Sequence, residues 1–432
     1  MKIKKIDKSG IELSDDFKIT LRLMKNTREN IFITGRAGTG KSTLLQYFRE
    51  NTKKSVAVVA PTGVAAVNVH GQTLHSFCKF KPGITLSKVR KLPDEQQCLY
   101  YKLNMIIIDE ISMVRADLLD CVDKFLRLNG RRKKLPFGGI QMVFVGDPYQ
   151  LAPVVPPNEA EIFQTYYKSP YFFDAKVFEN FHFKFIELKK IYRQTDRDFI
   201  EILDNIRTGK TTEEQLAVIN KKVNPYFKSS LNDGFVHLMA TNAMAESMNN
   251  FKLFQIQEEP IVFEGVLSGN FLGNQLPTNK TLILKRNAQI MMLNNDERGW
   301  VNGDIGKISE IGKAGIKVEL SKGKIITVTP YTWKKTRLYY NGDKMCIESE
   351  EIGLFTQYPV RLAWAVTIHK GQSKTFKKAV VDFGEGTFAF GQAYVALSRC
   401  TSLEGLVLKA PVEHRHIFVD DRIKEFMKKF LI

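Results

Sequence analysis

This chain has few cysteines and no long apolar run. None of its five cysteines forms a C-x-x-C pair, which argues against a disulfide framework or a zinc site and favours reduced thiols. No segment approaches the roughly 20 apolar residues of a membrane span. The basic start Met1-Lys-Ile-Lys-Lys resembles the beginning of a signal peptide, but acidic residues from Asp7 onward replace the apolar stretch that should follow. We expect a soluble intracellular protein without a membrane partner, cytoplasmic and nucleoid-associated if bacterial.

Acidic residues are the minority charge. The chain has 64 Lys and Arg against 46 Asp and Glu, a net charge of +18, and 44% of its 432 residues are hydrophobic. That apolar content excludes a disordered polycation and is sufficient for two or three folded domains. Because an excess of positive charge concentrates polyanions, nucleic acid is the first partner class to test, and an anionic membrane is the second.

Short apolar runs bounded by turn residues recur in the first part of the chain. They lack polar alternation, which is typical of strands buried on both faces of a parallel sheet. Helical spacing lies between them, as in residues 118–126. The first 160 residues or so are therefore predicted to be doubly wound α/β. The predicted strands are residues 31–34, 56–60, 105–108 and 142–145.

A second series of such runs predicts a second α/β domain. Its strands are expected at residues 183–188, 235–240, 379–383 and 405–408. From about residue 288 to 358 the pattern changes to glycine-rich turns and period-two alternation, including a Lys322-Gly323 turn. This stretch predicts a small inserted β-barrel.

Residues 35–42, Gly-Arg-Ala-Gly-Thr-Gly-Lys-Ser, match the P-loop pattern G-x-x-x-x-G-K-[ST] between an apolar strand and a helical pattern. Its glycines let the backbone wrap around phosphates, Lys41 reaches the outer phosphates and Ser42 can hold Mg²⁺. The alternative is a glycine-rich turn that binds nothing, and the complete spacing and flanks disfavour it. The predicted nucleotide-binding residues are Gly35, Ala37, Gly38, Thr39, Gly40, Lys41, Ser42 and Thr43.

Two further strand ends carry polar residues suited to hydrolysis. Asp109 and Glu110 follow the run at 105–108; Asp109 is predicted to hold the metal with Ser42, and Glu110 to polarise the attacking water. Gln150 follows the run at 142–145 and can sense the γ-phosphate. Taken singly, the acid pair could be an exposed turn or helix cap, and Asp147-Pro148 an ordinary turn.

In this order, the motifs resemble those of the petite-integration-frequency (PIF-type) DNA helicases, a RecD-like branch of helicase superfamily one. The resemblance covers essentially the whole chain, and residues 115–127 followed by residues 136–141 are similar to the stretch that distinguishes this family. The matching boxes are residues 35–43, 60–67 with 73–77, 109–112, 146–151, 188–193, 367–370 and 393–399.

The resemblance implies an α/β fold with two RecA-like parallel-sheet domains, ATP in the cleft between them and single-stranded DNA crossing both. It further implies a small inserted SH3-like β-barrel and a small wedge segment. The expected limits are residues 1–180 for domain 1A with a 1B insertion at about 66–84, 181–290 and 357–432 for domain 2A, and 291–356 for domain 2B. Arg193 and Arg399 are expected to project from the second domain onto the γ-phosphate, and Gly371 to contact the nucleotide.

The chain departs from the family pattern in three places. No glutamine precedes the P-loop, where the family usually reads adenine, and Leu13-Ser-Asp-Asp-Phe17 occupies that region. The order Gly371-Gln372-Ser373 replaces the usual Ser-Gln-Gly, and Ala152 stands where proline is common. Adenine selectivity is therefore not implied.

A motor on a single strand needs phosphate contacts and sequence-tolerant stacking. The chain has hydroxyl, ring and cationic groups in or near the matched DNA-facing boxes. Phe80 is predicted to be a strand-separating wedge, with a plain surface loop as the alternative. Core packing is the alternative for Phe77 and for Trp364, and a helix cap for Asn242; the run Arg131-Arg-Lys-Lys134 is typical of a solvated connector. The predicted DNA-binding residues are Thr62, Gly63, His75, Phe77, Phe80, Asn242, Thr367, His369 and Lys370.

The sequence thus predicts an ATP- and Mg²⁺-dependent DNA helicase, with 5′ to 3′ polarity taken from the resemblance. Its expected partners are single-stranded and forked DNA, with G-quadruplex DNA among the structured candidates, and the expected state is a monomer. The alternatives are a translocase that strips proteins from DNA, a P-loop small-molecule kinase and a non-catalytic nucleic-acid binder. ATP turnover that ignored single-stranded DNA would favour the kinase.

Overall fold

The structure is a computed structural model in which the chain forms two parallel sheets and a set of antiparallel strands. The N-terminal residues 1–13, Lys322 of the predicted turn, and Ser373 lie outside the described residues. The described residues are 14–81, 83–194, 196–271, 276–296, 299–320, 323–341, 346–372, 374–384, 386 and 389–430.

The first parallel sheet has six strands in the order β3-β2-β4-β5-β1-β6. Its strands are β1 (Ile31–Gly35), β2 (Val56–Ala60), β3 (Gln72–Thr73), β4 (Met105–Ile108), β5 (Gln141–Val145) and β6 (Lys184–Leu188). All four strands predicted in this part of the chain are present. Their apolar side chains are buried on both faces, so helices cover the sheet on each side. These helices are α1 (Asp15–Asn26), α2 (Lys41–Glu50), α3 (Gly63–Asn68), α4 (Leu74–Phe77), α5 (Asp94–Lys102), α6 (Ala116–Asn129) and α7 (Pro157–Tyr166).

The second parallel sheet has four strands, in the order β18-β7-β19-β20. They are β7 (Val236–Met239), β18 (Ala365–Thr367), β19 (Ala379–Asp382) and β20 (Leu406–Leu408). Its helices are α8 (Arg197–Thr208), α9 (Glu213–Asn220), α10 (Asn242–Phe254), α11 (Ile368–Gly371) and α12 (Gln392–Leu397). The two-sheet α/β architecture predicted from the sequence is confirmed.

The expected assignment of residues 183–188 to the second domain is wrong. These residues form β6, which pairs in parallel with β1 from Ile31↔Lys184 to Gly35↔Leu188. The strand is therefore an edge of the first sheet. Strand pairing depends on partners more than 140 residues away, so the local pattern could indicate the strand and not its sheet.

The antiparallel insert begins earlier in the chain than the expected residue 291. Strands β8, β9 and β10 pair with one another or with the later strand β16, not with the second parallel sheet. The insert contains sheets of order β14-β13-β12-β11-β17, β15-β16-β9 and β10-β8. Its strands are β8 (Ile261–Glu264), β9 (Val266–Gly269), β10 (Thr281–Leu284), β11 (Gln289–Met292), β12 (Ile305–Gly312), β13 (Gly315–Leu320), β14 (Ile325–Val328), β15 (Tyr331–Asn341), β16 (Cys346–Gln357) and β17 (Val360–Leu362).

The last helix, α13 (Asp421–Lys428), returns to the first sheet. Phe426 stacks on Phe173 with ring centroids 4.4 Å apart, and it lies 5.9 Å from Phe32 of β1. Ile423, Phe426 and Met427 share one helical face and join the first core. The expected assignment of the whole segment 357–432 to the second domain is therefore wrong at its end. Among the described helices, none is both long and apolar enough to cross a bilayer.

Candidate nucleotide and DNA sites

The P-loop joins β1 to α2 at the C-terminal edge of the first sheet. Gly38 and Gly40 both have φ of +83°, a left-handed conformation that favours glycine. A Cβ atom on Gly38 would collide with Cβ of Arg193. The glycines therefore permit both the turn of the loop and the close approach of the opposite wall.

Lys41 is the first residue of α2, and its ammonium group folds back over the loop. Nζ donates to the carbonyl oxygens of Gly35 at 2.6 Å and Arg36 at 3.1 Å. Burial lowers the Lys41 pKa below its ordinary value, although the nearby Asp147 and Glu110 carboxylates oppose the shift. A partly buried ammonium at the mouth of a P-loop favours an anionic ligand, because phosphate oxygens can replace the lost hydration.

Asp109 and Glu110 come directly after β4, at the same edge of the sheet. Asp109 is 7% exposed, and burial, followed by the neighbouring Glu110 charge, raises its pKa from 3.8 to about 7. Glu110 has a left-handed φ of +50°. The Asp109 carboxyl and the Ser42 hydroxyl both offer the oxygen donors that Mg²⁺ prefers, so this part of the cleft fits the ion.

One cleft of about 460 Å³ contains all six residues of the predicted catalytic set. Lys41 and Arg399 both line it, although they come from elements packed on different sheets. The residues that line it are Ala37, Gly38, Thr39, Gly40, Lys41, Ser42, Thr43, Asp109, Glu110, Gln150, Tyr192, Arg193, Thr375 and Arg399.

Arg399 follows α12 and is held rigidly. Its Nε donates to Val395 O at 2.8 Å, and Nη2 donates to Ser398 Oγ at 2.8 Å. Burial, followed by the nearby Arg193 charge, lowers the Arg399 pKa to about 9. Two neighbouring guanidinium groups, Arg399 fully buried and Arg193 partly buried, give this wall a positive potential suited to a phosphate chain.

Arg193 reaches the cleft from the connector between β6 and α8, not from the second sheet as expected. Its Nη1 donates to Ser398 O at 3.3 Å, next to Arg399. Because β6 belongs to the first sheet, the connector crosses from one sheet to the other at this point. The side chain is nonetheless on the predicted wall.

The assignment of Gly371 to the nucleotide site is contradicted. Gly371 is the last residue of the short helix α11, and it is buried near Leu238 and Phe376 in the second core. The next residue, Gln372, instead reaches the catalytic residues. Its Nε2 lies 3.0 Å from Gln150 Oε1 and 3.3 Å from Glu110 Oε2.

The sequence assigned no role to Gln372 or to Tyr192, although both lie at the nucleotide cleft. Gln372 stands in the sequence only as the central residue of Gly371-Gln372-Ser373, whose order differs from the family pattern. Tyr192 is 45% exposed and its ring lies beside Gly40, where an added Cβ would be 3.7 Å away. The sequence signal that could have identified Tyr192 is an aromatic residue directly before the motif arginine Arg193.

Three of the predicted DNA contacts lie at the beginnings of short helices. Thr62 Oγ1 accepts a hydrogen bond from Ala65 N at 3.2 Å, and Thr367 Oγ1 accepts one from Lys370 N at 3.2 Å. Gly63 is the first residue of α3. Thr367 is only 4% exposed, so a direct DNA contact through its side chain is contradicted. The hydroxyl groups thus stabilise helix starts that face the same edge of each sheet as the nucleotide cleft.

The predicted DNA contact at Phe77 is contradicted because the ring is buried. It is 2% exposed and lies edge-on to Tyr100, with centroids 5.4 Å apart. Phe80 is partly buried against Phe125 at 5.6 Å, which argues against a free wedge. Trp364 is completely buried in the core of the insert, as its core alternative requires.

The remaining predicted DNA contacts are accessible. Lys370 is exposed, and His75 and His369 are half-buried, with burial lowering the pKa of both imidazoles. Asn242 is exposed at the start of α10, and Thr241 caps that helix by accepting from Met244 N at 3.3 Å. The alternative of an Asn242 cap is therefore wrong.

Comparison with known proteins places these sites in a family. A profile of the PIF1-like helicase family matches residues 16–217. The chain is 33% identical over 431 residues to the ATP-dependent DNA helicase Pif1 of Bdellovibrio bacteriovorus, which covers 97% of this chain and 92% of that protein.

Two crystal structures of Bacteroides Pif1 are also similar to this chain, and each comparison covers 97% of both chains. The complex with ADP-AlF4 is 36% identical with a TM-score of 0.89. The complex with single-stranded DNA is 37% identical with a TM-score of 0.70. Since similarity in sequence and fold extends over nearly the whole length, this chain belongs to the PIF1-like helicase family.

Proposed function

We propose that the chain is an ATP-dependent DNA helicase that moves along single-stranded DNA. The observation that carries this proposal is that Lys41 and Arg399 line one cleft from elements packed on different sheets. A triphosphate bound there contacts both sheets at once, so its hydrolysis changes how strongly they are held together. The Bacteroides complexes with ADP-AlF4 and with single-stranded DNA support the same ligands for this chain.

The residues of the cleft divide the hydrolytic work. Ser42 and Asp109 would hold Mg²⁺, which supplies charge neutralisation at the phosphates when bound. Glu110 orients and polarises the attacking water. Arg193 and Arg399 stabilise the charge that develops on the transferred phosphoryl group, as a cationic group does in related nucleotide hydrolases.

Gln150 and Gln372 connect this chemistry to the second sheet. Gln372 directly follows α11, whose first turn contains the proposed DNA contacts His369 and Lys370. Its amide bridges Glu110 and Gln150. DNA bound at α11 can therefore shift the groups that position the water, and it should accelerate ATP turnover.

The base of the nucleotide has a place beside Tyr192. The ring is exposed in the cleft next to Gly40, and stacking on it accepts any base because every base has a π-face. This chain lacks the upstream glutamine of the family. We therefore assign base binding to stacking rather than to recognition of the adenine edge.

The DNA path would follow the C-terminal edges of both sheets. Thr62, Gly63 and His75 serve the first sheet, and Asn242 serves the second together with α11, which the buried Thr367 caps. This chain superposes better on unliganded Bacteroides Pif1 than on the complex with single-stranded DNA, with TM-scores of 0.89 and 0.70, which supports a change in arrangement on DNA binding. We further propose, from the resemblance to the family, that the chain moves 5′ to 3′ as a monomer and that G-quadruplex DNA is among its substrates.

Two assays test this function. ATP hydrolysis should rise on addition of single-stranded DNA, and a duplex with a 5′ single-stranded tail should separate in an ATP-dependent reaction. Turnover that does not respond to DNA would refute the helicase. Stimulated turnover without strand separation would favour a translocase that strips proteins from DNA.

A further inference from the structure

A basic cleft lies at the N-terminal edge of the first sheet, opposite the nucleotide. It is formed where the chain enters the strands: Arg28 precedes β1, Lys54 precedes β2 and Asn104 precedes β4. The strands are four or five residues long, so the two edges are about 15 Å apart. The cleft is therefore separate from the triphosphate site and from the proposed single-strand path.

Its charge is of one sign. The cavity has a volume of about 250 Å³ and is lined by Arg28, Lys54, Arg131 and Arg132, and no described residue that lines it is acidic. Two carboxylates beside these segments are engaged elsewhere: Asp123, which accepts from Phe137 N, pairs with Arg127 at 2.7 Å, and Glu29, next to Arg28, pairs with Lys184 at 2.9 Å. Within the described part of the chain, no carboxylate pairs with Arg28, Arg131 or Arg132.

The segment that carries two of these arginines is exposed throughout residues 131–134, as expected for a solvated connector, but its backbone is held in a defined turn. Phe137, Gly138 and Gly139 have φ of 50°, 64° and 71° and turn the chain back on itself. Arg132 N donates to Gly138 O at 3.2 Å. A Cβ on Gly139 would lie 2.9 Å from Arg132 Cδ, so the glycine lets the arginine stem lie against the backbone.

Lys54 is fixed in the floor of the cleft. Its Nζ donates to Met24 O and Thr27 O, both at 2.6 Å, and to Gln141 Oε1 at 2.8 Å. Burial, followed by the nearby Arg28 charge, lowers the Lys54 pKa. Several cations held together without acidic partners concentrate a positive potential, which an anionic ligand relieves.

The lining also indicates which nucleic acid fits. None of the described residues around the cleft is aromatic. Single strands bind through bases stacked on rings, whereas a duplex keeps its bases stacked inside and presents phosphates. Cations without rings therefore suit the backbone of a duplex.

We propose that this cleft binds the sugar-phosphate backbone of duplex DNA ahead of the motor, an inference that rests on the proposed function for its nucleic-acid partner. Helix α5 connects the two regions: Lys79, next to the His75 segment, donates to Gln96 Oε1 on α5 at 2.6 Å, and α5 leads to Asn104 in the cleft. The helix has 9 residues and is about 14 Å long, roughly four base-pair steps.

Binding measurements on matched charge variants test the proposal. Arg131→Glu/Arg132→Glu changes the cleft, and Lys133→Glu/Lys134→Glu makes the same charge change in the same run outside it. Anisotropy would be measured for a 5′ single-stranded tail, the tail joined to a duplex, a blunt duplex, and a fork with a second single-stranded arm. Arg28→Gln removes a charge from the same cleft on a different segment, so it repeats the test while residues 130–140 stay unchanged.

The wild type should bind the tailed duplex more tightly than the bare tail. Arg131→Glu/Arg132→Glu should lose about tenfold in affinity for the tailed and blunt duplexes. The slope of log affinity against log salt concentration should become shallower by about 2, since each phosphate contact contributes roughly 0.9 to that slope. Arg28→Gln should show a smaller loss in the same direction. Affinity for the bare tail and single-strand-stimulated ATP hydrolysis should be unchanged in all variants.

Equal losses in both double variants would overturn the proposal, because the effect would then be one of general charge. Unchanged duplex binding in the cleft variants would also overturn it. So would a wild type that binds more tightly than to the bare tail only when the DNA carries the second single-stranded arm of the fork. If the wild type hydrolyses ATP without responding to single-stranded DNA, the proposed function fails instead. The blunt-duplex measurement still reports on the cleft in that case.

Discussion

Arg207 Nη2 lies 2.9 Å from Asp147 Oδ1, and this ion pair joins the cores of the two parallel sheets. Asp147 follows β5 of the first sheet and is 0% exposed, while Arg207 lies on α8 beside the second sheet and is 4% exposed. The guanidinium also lies over the ring of Tyr149, at 4.4 Å. Nearby, Ala37 N of the P-loop donates to Tyr394 Oη at 2.8 Å. The nucleotide loop is thus fixed to both cores.

Removing one member of this pair should be costly. In Arg207→Met, the Asp147 carboxylate would stay buried without its cation, which lowers the free energy of unfolding by about 3–5 kcal/mol. Arg207→Met/Asp147→Leu should recover part of this loss, since it leaves no isolated charge. Urea unfolding measures both, with the exposed Arg415→Met as the control. A loss no larger than that of the control would show that the pair does not join the cores.

Arg399→Ala should separate binding from chemistry. The variant keeps the P-loop and Lys41, so KM for ATP should change little. The maximal rate should fall by about a thousandfold or more, as expected for an arginine that stabilises transition-state charge. Steady-state ATP hydrolysis with saturating single-stranded DNA measures this split. Lys41→Ala should instead abolish turnover, and exposed Arg422→Ala should change neither parameter.

Gln372→Ala should slow hydrolysis without weakening either ligand. The substitution removes the amide between Glu110 and Gln150, and a misplaced water costs on the order of a hundredfold in rate. Gln372→Glu should be at least as slow because it places a second carboxylate beside Glu110. The measurements are kcat, KM for ATP and affinity for single-stranded DNA, with exposed Gln46→Ala as the control. A normal kcat in Gln372→Ala would remove this residue from the mechanism.

Tyr192→Leu should raise KM for ATP while leaving kcat nearly unchanged. Loss of base stacking costs about 1–3 kcal/mol, which corresponds to a rise in KM of roughly five- to 150-fold. Tyr192→Phe keeps the ring and should behave as the wild type. GTP should be affected as strongly as ATP, because stacking does not distinguish purines. Strong discrimination between ATP and GTP in the wild type would show that the missing glutamine has a substitute.

Local patterns in the sequence were sufficient to identify the strands and the P-loop, and long-range pairing was not visible in them. Residues 184–188 have the hydrophobic pattern of a strand, but nothing in that pattern identifies β1 as its pairing partner. Likewise, Phe426 has helical spacing with Ile423, and only the fold shows that this face returns to Phe32.

Aromatic residues near functional motifs were the least predictable part of the site. Phe77 lies next to the His75 segment, and its ring is nevertheless buried beneath Tyr100. Tyr192, which received no role from the sequence, is exposed in the cleft. Whether a ring faces the core or the ligand depends on the direction of a turn, and that direction is set by the surrounding fold.

Asp109 should make the ligand-free protein less stable as pH rises. Its pKa is about 7 in the folded chain against an ordinary value of 3.8, so between these values the folded state binds more protons than the unfolded state. The contribution of the protonated carboxyl is complete below about pH 4 and is lost as pH rises through about 7. Asp109→Asn cannot ionise and should lack this slope.

The resulting stability gain of Asp109→Asn over the wild type should be small at pH 4, grow with pH and level off above about pH 7. Urea unfolding at several pH values without nucleotide measures it, with the exposed Asp15→Asn as the control. Mg²⁺ and an ATP analogue should flatten the pH slope of the wild type, because the bound cation favours the ionised carboxylate. A variant less stable than the wild type at pH 8 would contradict the raised pKa, because burying an ionised Asp109 would then carry no cost.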